Sequence, residues 1–228
     1  MKLLAIDCTT PTAYLGISID QKLKIATIEA GHRLTDSILA VLSQLMSENA
    51  VSFSDVDYLV YTSGPGNFTG ARVGIAVTQA LSLAHGIPSV GISSLQLLAQ
   101  GCYRRQQAVD VLAAIDARMG EVYWGCFHLD ESGVMQAQGA ERVSKPDAIV
   151  ITNKRKWYGV GNAVENYQDL LSEDVQKLKW DSIYRPEVVD MITIAQSKIL
   201  AENIDRGIAL PKYIRDDVAQ KKTNDKSR

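Results

Sequence analysis

Residues 63–72 read Ser-Gly-Pro-Gly-Asn-Phe-Thr-Gly-Ala-Arg, and we call them the glycine-rich segment. A β-rich run at 58–62 precedes the segment, and a run compatible with a helix follows it from about 71 to 85. Three glycines within seven residues allow positive φ angles and close approach to another backbone. The segment therefore predicts a tight strand-to-helix turn. A phosphate cradle at the helix start is the alternative, although the spacing matches neither a P-loop nor G-x-G-x-x-G.

Outside this segment, apolar residues of the first half follow strand and helix periods. Runs at 3–6, 14–19 and 23–29 are β-rich and separated by turn residues, which predicts an antiparallel meander of three strands. Apolar residues within 34–49 recur at i, i+4, i+7 and i+8, which predicts an amphipathic helix. With a short strand at 90–92 and a helix after it, the first half has the order βββαβαβα.

The second half begins with another meander. Runs at 109–115 and 122–129 predict two antiparallel strands, and a further strand is predicted at 157–160. A helix is predicted from Pro186 to near Gly207. Because a meander again precedes the helices, the second half loosely echoes the first, and we expect two related lobes.

We expect the chain to divide into a first lobe at 1–105, a second lobe at 106–210 and a C-terminal segment at 211–228. The first lobe would carry the glycine-rich segment and two partner-binding helices, and the last helix of the second lobe can pack back on the first. Residues 221–228 carry four positive charges, one negative charge and nothing apolar. We therefore expect this tail to be disordered.

Composition excludes several classes of protein. The chain has 24 Lys and Arg against 26 Asp and Glu, a net charge of -2, which excludes a generally basic nucleic-acid binder. No apolar run approaches the ~18 residues that a membrane span needs, so we expect a cytoplasmic protein without membrane contact. The three cysteines lack C-x-x-C spacing and the three histidines stand far apart. No metal site is therefore predicted.

Four segments carry a resemblance to a known family. Residues 64–81 (GPGNFTGARVGIAVTQAL), 3–10 (LLAIDCTT), 113–124 (AAIDARMGEVYW) and 211–222 (PKYIRDDVAQKK) strongly resemble the bacterial TsaB (YeaZ) family of tRNA threonylcarbamoyladenosine biosynthesis proteins. The matching motif residues are Gly64, Pro65, Gly66, Phe68, Thr69, Gly70 and Arg72 in the first lobe, and Asp116, Arg118, Gly120, Glu121 and Tyr123 in the second.

The sequence departs from the family pattern at two places. The histidine that many members carry just ahead of the first helix aligns with Leu34, because His32 lies two residues early. The V-G-x-G stretch is only partly matched by residues 159–162.

This resemblance implies an α/β fold of the actin-like, hexokinase-like (ASKHA) type: two related lobes, each a mixed sheet with an antiparallel meander and flanking helices. It also implies a non-catalytic subunit required for N6-threonylcarbamoyladenosine at position 37 of tRNA. Such a subunit would bind the catalytic relative TsaD as a heterodimer, join the ATPase TsaE in a ternary complex, form a homodimer when alone, and contact tRNA indirectly or weakly. The alternative is an actin-like-fold ATP-dependent kinase or a glycopeptidase active on its own.

No catalytic residue, cofactor or metal is predicted. In the superfamily that the resemblance implies, the first turn reads Asp-x-Gly-Thr, with the glycine leaving room for a phosphate. Here Asp7, Thr9 and Thr10 keep the carboxylate but put threonine in the glycine position, so they are weak candidates for a degenerate nucleotide site.

The helices at 34–49 and 72–85 are predicted to pair on one side of the first lobe and form the partner interface, which the resemblance also implies. The candidate interface residues are Leu34, Ile38, Leu42, Leu45, Val73, Ala76, Val77 and Ala80. Within the glycine-rich segment, Gly66→Ala is expected to weaken both stability and partner binding. Asn67→Ala is expected to change neither, because the family pattern leaves that position variable.

Overall fold

A computed structural model describes residues 1–29, 34–151, 155–202 and 208–215. A first mixed sheet contains five strands: β1 (Lys2–Asp7), β2 (Ala13–Ile19), β3 (Lys22–Ile28), β4 (Tyr58–Gly64) and β5 (Ser89–Ser93). Their order is β3-β2-β1-β4-β5. The first three strands form the predicted antiparallel meander, and β4 and β5 extend the sheet in parallel.

The second sheet contains β6 (Asp110–Arg118), β7 (Glu121–Leu129), β8 (Met135–Ala137), β9 (Arg142–Ser144), β10 (Trp157–Val160) and β11 (Lys179–Asp181). Its order is β11-β10-β6-β7-β8, and β9 pairs with β7. Strands β6, β7 and β8 are antiparallel, whereas β10 and β11 run parallel to β6. Each sheet is thus a meander extended by two parallel strands on the side of its first strand. The predicted α/β fold of two related lobes is confirmed.

Among the described residues, six α-helices cover the sheets: α1 (Leu34–Glu48), α2 (Phe68–His85), α3 (Ser94–Gln106), α4 (Ala163–Tyr167), α5 (Glu173–Gln176) and α6 (Val188–Leu200). Helices α1 and α2 share a buried core with one face of the first sheet, and α6 packs on its other face. Helix α3 packs on the second sheet, whose opposite face is covered by α4 and α5. The last long helix of each half therefore packs on the sheet of the other half: α3 on the second sheet and α6 on the first.

This exchange of helices bears on how the chain divides. Helix α3 comes from the first half but packs on β6, β7 and β10, while α6 comes from the second half but packs on the first sheet. Both helices also contact each other. The boundary at residues 105 and 106 stays a prediction, and the expected tail at 221–228 lies outside the described residues.

Several predicted boundaries shift for identifiable reasons. Helix α2 begins at Phe68, not near residue 71, because the side chain of Asn67 caps it by accepting a hydrogen bond from the Gly70 N–H at 2.9 Å. The helix ends before Gly86, which has φ +67°, as predicted. Helix α6 ends at Leu200, while the predicted end near Gly207 lies outside the described residues.

Within the described ranges, no helix is both long and apolar enough to cross a membrane. Cys8 and Cys102 are buried, and Cys126 is half-buried. Burial raises the pKa of Cys102 to about 12 and that of Cys126 to about 11. These thiols therefore stay protonated near neutral pH and pack as small apolar groups.

Candidate functional site

The glycine-rich segment docks on the turn between β1 and β2. The backbone N–H of Asn67 donates to the carbonyl oxygen of Thr9 at 2.7 Å. A Cβ placed on Gly66 would lie 2.6 Å from that same oxygen, and a Cβ on Gly70 would lie 2.1 Å from the carbonyl oxygen of Cys8. Glycine is therefore required at both positions, because the neighbouring backbone leaves no room for a side chain. At Gly64 the reason is the backbone conformation, because its φ of +99° is one that residues with a side chain rarely adopt.

Asp7 lies at the end of β1 and is fully buried. Its Oδ1 accepts hydrogen bonds from the Thr9 hydroxyl at 2.6 Å and the Thr9 N–H at 3.2 Å. Burial raises the pKa of Asp7, although the two bonds from Thr9 oppose the shift. Through Oδ1, the carboxyl is thus bonded within its own turn. Thr10 also bonds locally, donating to the carbonyl oxygen of Thr12 at 2.7 Å.

A cleft of about 620 Å³ lies between the two lobes. Its walls are the glycine-rich segment and the turn at Thr9 and Thr10 on one side, and the β6–β7 turn on the other. Ser94 and Leu98 of α3 form part of its lining, as do residues 211–215. Within the described ranges, no group of three or more His, Cys, Asp or Glu side chains is arranged to hold a metal ion.

The motif of the second lobe is built around Asp116. Its carboxylate accepts from the Arg118 N–H and from the Tyr167 hydroxyl, both at 2.7 Å, and the contact with Asp116 raises the pKa of Tyr167. Arg118 and Gly120 both have positive φ, at 63° and 74°. The motif thus fixes a tight turn.

Only some members of this second motif face the cleft. Asp116, Arg118 and Tyr123 line it, whereas Gly120 and Glu121 do not. Glu121 instead forms an ion pair with Arg215 of the C-terminal stretch. In the glycine-rich segment, Gly64, Pro65, Gly66, Phe68, Thr69 and Arg72 line the cleft, and Gly70 packs beneath them.

Three of the eight predicted interface residues are buried, and three more are partly buried. Ile38, Leu42 and Leu45 were predicted to bind a partner, but this is wrong, because they are buried between α1 and the first sheet. Leu34, Val73 and Val77 are partly buried against the same core. An amphipathic stripe on a helix must cover the protein's own sheet first.

Ala76 and Ala80 are the predicted interface residues that are exposed. They lie on the outer face of α2 with Leu83, which is 89% exposed. Leu39 of α1 is also 53% exposed. The prediction missed Leu39 and Leu83. Their position could have indicated exposure, because each is an apolar residue that lies off the buried stripe of its helix.

Arg72 begins this outer face at the cleft end of α2. Its guanidinium lies 3.6 Å from the centre of the Phe68 ring, which is 56% exposed. Such cation–π stacking holds the arginine over the helix start. The glycine-rich segment therefore connects the cleft to the exposed face of α2.

The sequence is similar to a known protein family. A family model described as TsaD: tRNA N6-adenosine threonylcarbamoyltransferase matches residues 28–223. The tRNA threonylcarbamoyladenosine biosynthesis protein TsaB of Escherichia coli (strain K12) is 35% identical over 232 residues, covering 97% of this chain and 98% of its own. The protein of the same name from Haemophilus influenzae is 28% identical and covers 97% of each.

Two solved structures are similar to this chain over nearly its full length. The structure of YeaZ from Pseudomonas aeruginosa has a TM-score of 0.84 and 31% identity, covering 93% of this chain and 99% of that chain. Another Pseudomonas aeruginosa structure, described as similar to peptidase YEAZ, has a TM-score of 0.86 and 32% identity, covering 94% and 99%. Similarity over nearly the full length of each chain, in both sequence and structure, means that the chain belongs to the TsaB (YeaZ) family and has its actin-like, hexokinase-like (ASKHA) fold.

Proposed function

We propose that the chain is a non-catalytic subunit required to form N6-threonylcarbamoyladenosine at position 37 of tRNA. It would bind a TsaD-like catalytic partner as a heterodimer and join TsaE in a larger complex in the cytoplasm. The names of the relatives at 35% and 28% identity support the biosynthetic role. The transferase named by the matching family model supports a partner of the same fold.

The glycine-rich segment supports a role without chemistry of its own. The N–H of Asn67 is already bonded to Thr9, and the approach of Gly66 to Thr9 leaves no room for a phosphate between the two backbones. Asp7 is buried beneath this contact and bonded to Thr9. A phosphate at this contact would need a free N–H donor and space, and the Asn67 N–H and the gap between the two backbones are both taken up by protein.

The exposed face of α2 is the single observation that carries the proposed interaction. Ala76 and Ala80 are small side chains one turn apart, and small residues let a second helix approach closely. Leu83 continues this face at 89% exposure. An apolar helix face of this kind fits a helix of a partner or, in the absence of one, the same face of a second copy.

Reconstitution tests the proposed function. Transcribed tRNA, a TsaD-like partner, TsaE, ATP and a threonylcarbamoyl donor are combined with and without this chain, and the modified nucleoside is measured by mass spectrometry. We expect product only when the chain is present, and no ATP turnover by the chain alone. Equal product without it, or ATP turnover by the chain alone that Asp7→Ala abolishes, would overturn the proposal.

A further inference from the structure

The C-terminal stretch at residues 208–215 is bonded to the first lobe. The Tyr61 hydroxyl of β4 accepts from the Leu210 N–H at 3.0 Å and lies 3.3 Å from the Leu210 carbonyl oxygen, to which it can donate. The Lys212 N–H donates to the carbonyl oxygen of Ser63 at 2.9 Å. Ser63 begins the glycine-rich segment, so this stretch is tied to the same backbone that forms the cleft wall.

Side chains of the same stretch are bonded to the second lobe. The Lys212 ammonium lies 3.1 Å from the carboxylate of Glu141, whose side chain is only 3% exposed. Arg215 pairs with Glu121, donates to the Ala117 carbonyl oxygen at 3.4 Å and lies over the Tyr123 ring at 5.8 Å. A single residue, Lys212, therefore contacts both lobes: its backbone N–H bonds to the first lobe and its ammonium pairs with the second.

Packing fixes the stretch in the same position. Ala209 is 1% exposed and packs with Tyr61 and Ile75, while its carbonyl oxygen accepts from the Gln79 side chain at 2.5 Å. Ile214 packs against the core of the second lobe. Apolar contacts at one end thus anchor the stretch to α2 and β4, and those at the other end anchor it to the core that α3 shares with the second sheet.

The stretch connects the two lobes in addition to the helices that join them. Helices α3 and α6 pack on each other, and Ser94 and Leu98 of α3 line the cleft. Residues 211–215 line it as well, between the glycine-rich segment and the β6–β7 turn. Because residues 208–215 are bonded to both lobes, a change in the angle between the lobes about the α3–α6 junction would strain these contacts.

We infer that residues 208–215 form a latch that holds the two lobes at a fixed angle and thereby sets the width of the cleft. The ion pairs of Lys212 and Arg215 with Glu141 and Glu121 form its attachment to the second lobe. The hydrogen bonds of Leu210 and Lys212 form its attachment to the first. The latch does not depend on the proposed partner, because every contact that defines it lies within this chain.

Distance measurement between the lobes tests the latch. Spin labels are placed on the full-length chain through Ser47→Cys at the end of α1 and Asp174→Cys on α5, both exposed positions, in a Cys126→Ser background. For the parent chain we expect a single narrow distance distribution. For Lys212→Met combined with Arg215→Met we expect the distribution to widen about two-fold or to shift, because the second-lobe attachment is lost.

Hydrogen exchange provides a second measurement. In Glu141→Gln we expect the backbone N–H groups of Leu210 and Lys212 to exchange about ten-fold faster, since the stretch opens more often without its charge pair. Lys177→Met is the matched control, because it removes an exposed lysine whose ion pair lies outside the latch. Unchanged distances and unchanged exchange in folded variants would overturn the latch, and so would equal effects of Lys177→Met.

Discussion

The carbonyl oxygen of Thr9 accepts a 2.7 Å hydrogen bond from the backbone N–H of Asn67. This bond joins the turn after the first strand to the start of α2. It also explains two glycines, because Gly66 and Gly70 lie where any Cβ would meet the backbone of Thr9 or Cys8. We propose that the segment acts through the shape of its backbone.

Gly66→Ala tests this contact. The added Cβ would lie 2.6 Å from the Thr9 oxygen, so the segment must move away, and we expect the free energy of unfolding to fall by about 1–3 kcal/mol. Urea unfolding followed by circular dichroism measures the loss. Thr69→Ala, at an exposed position of the same segment, is the control and should stay within ~0.5 kcal/mol. Equal stability of Gly66→Ala and the parent chain would contradict the packing argument.

Asn67→Ala should also destabilise the protein, which reverses the expectation from the sequence. The Asn67 side chain caps α2 through its bond with the Gly70 N–H, so removing it should cost about 1 kcal/mol. Asn67→Ser, which can also cap a helix, should retain most of the stability. Thermal unfolding of the two variants distinguishes them, and an Asn67→Ala variant as stable as Asn67→Ser would show that the cap contributes nothing.

Asp7→Asn should change how stability depends on pH. Burial raises the folded-state pKa of Asp7 above its usual value of 3.8, so the folded state favours the protonated carboxyl. Wild-type stability from this group is therefore fully present below that value and is lost as pH rises through the folded-state pKa. The free energy of unfolding of Asp7→Asn minus that of wild type should increase over this interval. A difference that stays constant from pH 3 to pH 8 would contradict the assignment.

The contact between α3 and α6 provides another prediction. Arg104 forms two hydrogen bonds with Asp190, at 2.9 and 3.1 Å, and the Asp190 side chain is only 2% exposed. Because Arg104→Met leaves this buried carboxylate without its main partner, we expect a loss of about 2–4 kcal/mol. The double variant Arg104→Met, Asp190→Leu should recover most of it. Urea unfolding measures both, and no recovery would mean that the pair acts through packing of Arg104.

Most of the fold could be predicted from periodicity. The order βββαβαβα and the meander at β6 and β7 come from runs long enough to show a strand or helix period. Five elements were missed, β8, β9, β11, α4 and α5, because each has only three to five residues and cannot show a period. In the second half, β9 and a short turn occupy the place that α1 has in the first, so the repeat is hard to detect from sequence alone.

The candidate surface was predicted less well than the fold. The stripe of Ile38, Leu42 and Leu45 has the apolar spacing that either a partner or the protein's own sheet would require, and in the structure it packs on the sheet. Sequence periodicity cannot separate these two uses. The exposed apolar residues Leu39 and Leu83 lie off that stripe, so their position relative to it carries the missing information.

Binding of a TsaD-like partner to variants of the outer face of α2 tests the central claim most directly. Ala76→Glu and Ala80→Glu each place a charge on this exposed face without disturbing the core, so the isolated chain should keep its melting temperature. Ala137→Glu, the same substitution at an exposed position on β8 of the second sheet, is the charge-matched control. Titration calorimetry should show heterodimer formation weakened at least ~100-fold by either α2 variant and little changed by the control. Parent-like affinity in both α2 variants would contradict the claim that this face binds the partner.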